Sequence, residues 1–153
     1  MDNYGRIDWN DVWMKLAHQI SLRSTDPKHK VGCVIVNEEN TRVLALGYNG
    51  GRKGGRNTRL SNETGKSGFL HAERNANEKL DYSNNEGKIY YVTLSPCRDC
   101  AMSIANQTNV KKVYYLEKYN DEGLQELTDA GISHEKFIED KDHPFGVFPQ
   151  ELF

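Results

Sequence analysis

The sequence predicts a single α/β domain in which helices cover both faces of one sheet. Three observations lead there. Helical and strand-like patterns alternate along the chain. The stretches at 31–36, 89–94 and 113–116 are nearly continuous apolar runs, as strands covered on both faces require. No linker, repeat or low-complexity tract divides residues 1–153 into separate parts.

Trp9, Val12, Trp13, Leu16 and Ile20 fall on one face at helical spacing, which predicts a first helix reaching about Arg23, capped by Asp8 or Asn10. Asp26-Pro27 breaks it. Residues 31–36 follow as a buried strand, and 43–48 return antiparallel to it after Asn37-Glu38-Glu39-Asn40. Gly50-Gly51-Arg52-Lys53-Gly54-Gly55-Arg56 cannot hold regular structure, so residues 50–68 form a loop, and one that long in a compact domain points to function. A second helix starts near His71 and reaches about Leu80, and residues 89–94 give the third strand. Ser95 as cap and Pro96 as first helical residue predict the start of a third helix, which carries Ala101, Ile104 and Ala105. Residues 113–116 are the fourth strand, Leu124, Leu127 and Ala130 mark a fourth helix closed by Gly131, and a short strand near 136–138 completes the sheet. The tail 139–153 takes no element.

Twenty basic side chains against 22 acidic ones leave a net charge of −2, which excludes a generally polybasic nucleic-acid binder. With 37% apolar residues the chain can build one modest core, yet it has no run of about 18 to 20 apolar residues with which to cross a bilayer. Met1-Asp2-Asn3-Tyr4-Gly5-Arg6 shows no secretory pattern, so the expected compartment is the cytoplasm. Three cysteines, at 33, 97 and 100, cannot all pair within the chain, and in a reducing compartment close cysteines bind metal or do redox chemistry.

Cys97 and Cys100 are three apart at a helix start, so their sulfurs share one face near its positive end, which favours the thiolate. Two thiolates need a third ligand to hold zinc, and His71 sits at the start of the preceding helix with Ala72 and Glu73. His71 and Glu73 are two apart and point in different directions, so both reach one site only if the two helix starts converge. Three protein ligands leave a position open, where zinc lowers the pKa of a bound water, and Glu73 is the base that takes its proton. The pair Cys97 and Cys100 alone is equally compatible with a closed structural zinc clip. That clip would take a fourth ligand from Cys33, His18, His29, His134 or His143, of which Cys33, inside an apolar strand, reads as core packing.

His71-Ala72-Glu73, 22 intervening residues and Pro96-Cys97-Arg98-Asp99-Cys100 together form the recognised signature of zinc-dependent nucleobase deaminases. The chain resembles the cytidine deaminase superfamily, and more closely its deoxycytidylate (dCMP) deaminase branch. The marks of the resemblance are Arg23-Ser24-x-Asp26-Pro27, Val31-Gly32-Cys33, Gly47-Tyr48-Asn49-Gly50, the run from His71 to Ala76, the run from Thr93 to Ala101, and Lys118-Tyr119; the zinc pieces specify the superfamily, and the Gly-Tyr-Asn-Gly and Arg-Ser pieces the nucleotide branch. It implies a three-layer cytidine-deaminase-like fold with a mixed five-stranded sheet. It also implies that water activated on zinc attacks C4 of cytosine while Glu73 protonates N3 and then helps ammonia leave, turning dCMP into dUMP for thymidylate synthesis.

Site residues carried over by the resemblance are Ala72, Ser95 and Pro96 beside the base, amides at Cys97 and in Gly32-Cys33 on the pyrimidine carbonyl, and Asn49 on the sugar hydroxyl. Arg23, Ser24 and Tyr119 take the 5′-phosphate. The resemblance further implies a homo-oligomer, a hexamer, activated by dCTP and inhibited by dTTP with Mg2+ through Tyr48, Gly50, Arg52, Lys53 and Asn75. Arg52 replaces the family's usual proline. The alternative is deamination of cytosine or adenine within RNA or single-stranded DNA, which has the same zinc set; balanced charge weighs against it, and no nucleic-acid or membrane partner is expected.

Overall fold

The computed structural model describes residues 5–139. The elements in chain order are α1 (Trp9–Ser21), β1 (Gly32–Asn37), β2 (Val43–Tyr48), α2 (Ala72–Asn77), β3 (Lys88–Leu94), α3 (Arg98–Ala105), β4 (Val110–Glu117), α4 (Asp121–Asp129) and β5 (Ser133–Lys136). The strands form one sheet in the order β2-β1-β3-β4-β5. β1 pairs antiparallel with both β2 and β3, whereas β3–β4 and β4–β5 are parallel, so the sheet is mixed as expected.

Alternation along the strands sends side chains to two cores. Val34, Val36 and Tyr91 face α1 through Trp13, Met14 and Ala17. Cys33, Ile35, Tyr90, Val92, Val113 and Tyr115 face α2, α3 and α4 through Ala72, Ala76, Ala101, Ile104, Leu124 and Leu127. The second layer is closely seated: a Cβ at Gly47 would lie 2.7 Å from both the Ala72 carbonyl oxygen and the Ala76 amide nitrogen, so only glycine lets α2 rest on β2. None of the helices among the described residues is long and apolar enough to cross a membrane.

Several boundaries differ from expectation. α1 is capped by Asp8, whose carboxylate accepts the Asn10 amide, and stops at Ser21 rather than Arg23. α2 ends at Asn77, and turns carry the chain past Leu80. α3 does not start at Ser95-Pro96. The Ser95 amide donates to the Glu117 carbonyl, extending the sheet pairing, and its hydroxyl accepts the Tyr119 amide, so the cap falls to Cys97. β5 lies three residues earlier than the apolar pattern indicated, because this edge strand is set by backbone pairing with Lys112–Tyr115 and its own side chains are mostly exposed. Gly131, at φ 78°, ends α4 in the left-handed conformation as expected. Residues 140–153 lie outside the described residues.

Candidate active site

Two helix starts meet at the edge of the sheet where β1 begins and the antiparallel β3 ends. His71 is the residue before α2, and Cys97, before α3, accepts the Cys100 amide on its sulfur at 3.5 Å. His71 Nδ1 stands 3.3 Å from Cys100 Sγ and 3.6 Å from Cys97 Sγ, and the three ligand atoms lie within 4.8 Å of one another. A tetrahedral zinc bound at about 2.0 Å to nitrogen and about 2.3 Å to sulfur needs a nitrogen–sulfur edge of about 3.5 Å, so the donor set fits zinc without rearrangement. Cys33, His18, His29 and His134 do not join this group; His143 lies outside the described residues.

The protonation of these donors follows their contacts. Hydrogen bonds from the Cys100 thiol, against burial, and then from His71 and the Cys100 amide bring the Cys97 thiol down to about 4, so it is a thiolate at neutral pH. That sulfur in turn holds the Cys100 proton and pushes its pKa up. The His71 pKa is raised by its bond to Cys97, against burial and with help from Glu73. Glu73, only 4% exposed, is pushed up to about 7 by burial. A carboxyl there exchanges protons near neutral pH, the property a general acid and base requires.

His71, Glu73 and Cys97 open into a cavity of about 220 Å³. His71, Ala72, Glu73, Cys97, Asn49, Ser95 and Tyr119 all line it, so seven of the residues expected from sequence share one space. Asn49 is buried and fully engaged: its Oδ1 accepts the Val31 amide at 2.9 Å, and its Nδ2 donates to the His29 carbonyl at 2.8 Å and to Asp26 Oδ2 at 3.4 Å. Ser95 is held by Tyr119 as above, which brings the Tyr119 ring to the rim.

Other expected residues lie elsewhere. Arg23 is exposed and does not line the cavity. Ser24 is buried behind the wall, donating to the Asn49 carbonyl at 2.8 Å and accepting the Asp26 amide at 3.1 Å. Pro96 sits under α4, where its carbonyl abuts Gly123. The Gly32 amide donates to Thr93 Oγ1 at 3.1 Å inside the sheet and is already committed. Tyr48 accepts Asn75 Nδ2 on its carbonyl at 2.7 Å, and Gly50 pairs with Leu70, whereas Arg52 and Lys53 are exposed in the loop.

Sequence reasoning missed Asp26, His29, Arg59 and Lys118, all of which line the cavity. Asp26 was visible inside the Arg23-Ser24-x-Asp26-Pro27 run. Arg59 was visible only as one cation among several in the glycine-rich loop, and its partner is 33 residues away: Arg59 Nη1 donates to Asp26 Oδ2 at 2.5 Å. Both side chains of this pair are buried, 7% and 2% exposed.

A family model for the cytidine and deoxycytidylate deaminase zinc-binding region matches residues 7–117. A deoxycytidylate deaminase of Pongo abelii is 34% identical over 90% of this chain and 83% of its own length. ComE operon protein 2 of Bacillus subtilis is 37% identical over 86% of this chain and 72% of its own. Among solved structures, dCMP deaminase from the cyanophage S-TIM5, in complex with dCMP and dUMP, superposes with a TM-score of 0.74 at 32% identity, covering 90% of this chain and 99% of that one. With the matched region spanning both helix starts and every donor between them, the chain belongs to the cytidine and deoxycytidylate deaminase family.

Proposed function

We propose that this protein deaminates dCMP hydrolytically to dUMP and ammonia, with zinc held by His71, Cys97 and Cys100. The observation that carries the reading is the buried Glu73 carboxyl, placed beside an intact three-donor zinc group and opening into the same cavity. Zinc bound there acts as a Lewis acid that lowers the pKa of water towards neutrality. Glu73 takes the proton released by the attacking water and delivers it to N3 of the ring. The same carboxyl carries the second proton to the amino group at C4, which leaves as ammonia. Ala72 and Ser95 bound the base, Asn49 positions the wall beside the sugar, and Tyr119 covers the rim.

The names and similarity of the relatives support dCMP as substrate. Regulation by dCTP and dTTP, with Mg2+ on the nucleotide, fits a direct link: Asn75 ties α2 to Tyr48, and the Gly50–Leu70 bridge places the root of the loop next to His71. A homo-oligomer, a hexamer by resemblance, and a cytoplasmic role in supplying dUMP belong to the same reading.

The test is ammonia release by zinc-loaded protein from dCMP, deoxycytidine, CMP and a cytosine-containing oligonucleotide, each with and without dCTP or dTTP. Turnover of dCMP well above the rest, with opposite responses to the two triphosphates, is the expected result. Preference for the oligonucleotide overturns the substrate, and indifference to both triphosphates overturns the regulation.

A further inference from the structure

The cavity wall opposite the catalytic chemistry contains a buried guanidinium whose function the zinc chemistry does not explain. Arg59 comes from the loop between β2 and α2, yet its side chain is only 7% exposed. Two of its five N–H groups are committed: Nη1 donates to Asp26 Oδ2 at 2.5 Å, and Nε donates to the Ser61 carbonyl at 3.0 Å. Among the described residues, no hydrogen bond takes the Nη2 amino group, and Arg59 lines the cavity that also holds His71 and Glu73. Burying a cation with half of its donor fork unmet is costly unless an anion arrives to meet it.

Asp26 acts here as a clamp. Its Oδ1 accepts the Lys28 amide at 2.8 Å, and its Oδ2 accepts Asn49 Nδ2 at 3.4 Å as well as Arg59. Its donors saturate it, so the carboxylate orients the guanidinium without the freedom to compete for other cations. With Nε and Nη1 engaged, the Nη2 amino group is left to donate to an oxyanion, and charge-assisted bonds of this kind are how arginine binds phosphate. Lys118 lines the same cavity, but its ammonium is paired with Asp121 Oδ1 at 2.5 Å, so Arg59 is the better placed cation. Arg23, by contrast, is exposed and outside it.

We infer that Arg59, held by Asp26, is the residue that reads the 5′-phosphate of the nucleotide, so that selectivity for a nucleotide over a nucleoside resides in the loop between β2 and α2 and not at the end of α1. This rests on the proposed deamination of dCMP. It converts the loop's basic character from a surface property into a substrate contact.

The experiment compares kcat/KM for dCMP and for deoxycytidine in the zinc-loaded wild type, Arg59→Ala, Arg59→Lys and Arg23→Ala. The readout is the ratio between the two substrates, which a merely structural contribution to the wall does not move. Arg59→Ala lowers that ratio about 10- to 100-fold, chiefly through KM for dCMP, as loss of a charge-assisted bond to phosphate requires. Arg59→Lys recovers part of it, and Arg23→Ala moves it less than either. Should Arg59→Ala fail to fold because Asp26 is left alone, the pair Asp26→Asn with Arg59→Gln keeps a neutral bond in the wall and reports the same ratio. Equal losses on both substrates, or a larger shift from Arg23→Ala, overturn the assignment while leaving dCMP deamination intact. A wild type that releases no ammonia from dCMP overturns the function itself, and this assignment with it.

Discussion

Gly123 lies on α4, far from the zinc donors in sequence, but its replacement by alanine should damage the site. A Cβ at that position would stand 1.8 Å from the Pro96 carbonyl oxygen, 2.7 Å from its carbon and 2.9 Å from the Cys97 carbonyl oxygen. Real Cβ contacts do not go below 3.0 Å, so the Pro96-Cys97 turn or the start of α4 has to retreat by the difference between 1.8 and 3.0 Å, about 1.2 Å. All three obstructing atoms are backbone, so no rotamer change relieves them. Overpacking of this kind costs about 3 kcal/mol, and the better helix propensity of alanine returns about 1 kcal/mol, leaving a loss of about 2 kcal/mol. For a chain of this size that lowers Tm by about 4 to 8 °C. Cys97 is the cap of α3 and a proposed zinc donor, so the same displacement moves Sγ relative to His71, and an error of about 1 Å in such a group costs about 100-fold in rate. Calorimetry of the zinc-loaded protein, ammonia release and the visible spectrum of the cobalt-substituted site measure the three effects. Gly123→Ala with wild-type Tm, turnover and spectrum would refute the claim that this contact seats the zinc turn.

Glu73→Ala should abolish turnover while zinc content stays at one per chain by metal analysis; loss of zinc instead would make Glu73 a ligand. Tyr90→Phe removes the hydroxyl that donates to Asn77 Oδ1 at 2.5 Å, and Asn77 in turn donates to Ser103 at 2.9 Å, so this bond holds α2 and α3 together behind the site. Stranding the Asn77 oxygen should cost about 1 to 3 kcal/mol in urea unfolding. Burial opposes ionisation of Asp26, but amide bonds from Lys28 and His29 and the Arg59 guanidinium overcome it and hold its pKa below the ordinary 3.8. Below pH 3.8 the unfolded chain therefore binds more protons at this position than the folded one, so the contribution is intact at neutral pH and is lost as the solution is acidified through the folded pKa. Asp26→Asn should destabilise by about 3 to 5 kcal/mol at pH 7, since it leaves a buried cation unpaired, and the gap to wild type should narrow below pH 4 in denaturant titrations.

Much of the site was legible before any coordinate, because the chemistry uses residue types that are rare in combination. A histidine and a glutamate two apart, followed by a proline and two cysteines three apart, identify a zinc site with a base wherever the chain folds. The strands were legible for a similar reason: burial on both faces demands runs such as residues 31–36, which few other structures tolerate. Boundaries were less so. Ser95-Pro96 carries a helix-start signal, but Ser95 is claimed by the sheet and by Tyr119, and local propensity yields to those tertiary bonds. β5 carries no apolar alternation because an edge strand with exposed side chains has no use for it.

The sequence by itself determined the α/β class and singled out His71, Cys97 and Cys100 as candidate donors with Glu73 as the proposed base, since composition and spacing encode which atoms are available. Only the tertiary structure decided which distant groups share the cavity. Arg23 carries the same charge as Arg59, and no local pattern distinguishes them; the difference is that Arg59 meets Asp26 across 33 positions and is buried by it, while Arg23 remains exposed. A contact between segments so far apart depends on how the loop closes over the sheet, and that closure is a property of the packed chain.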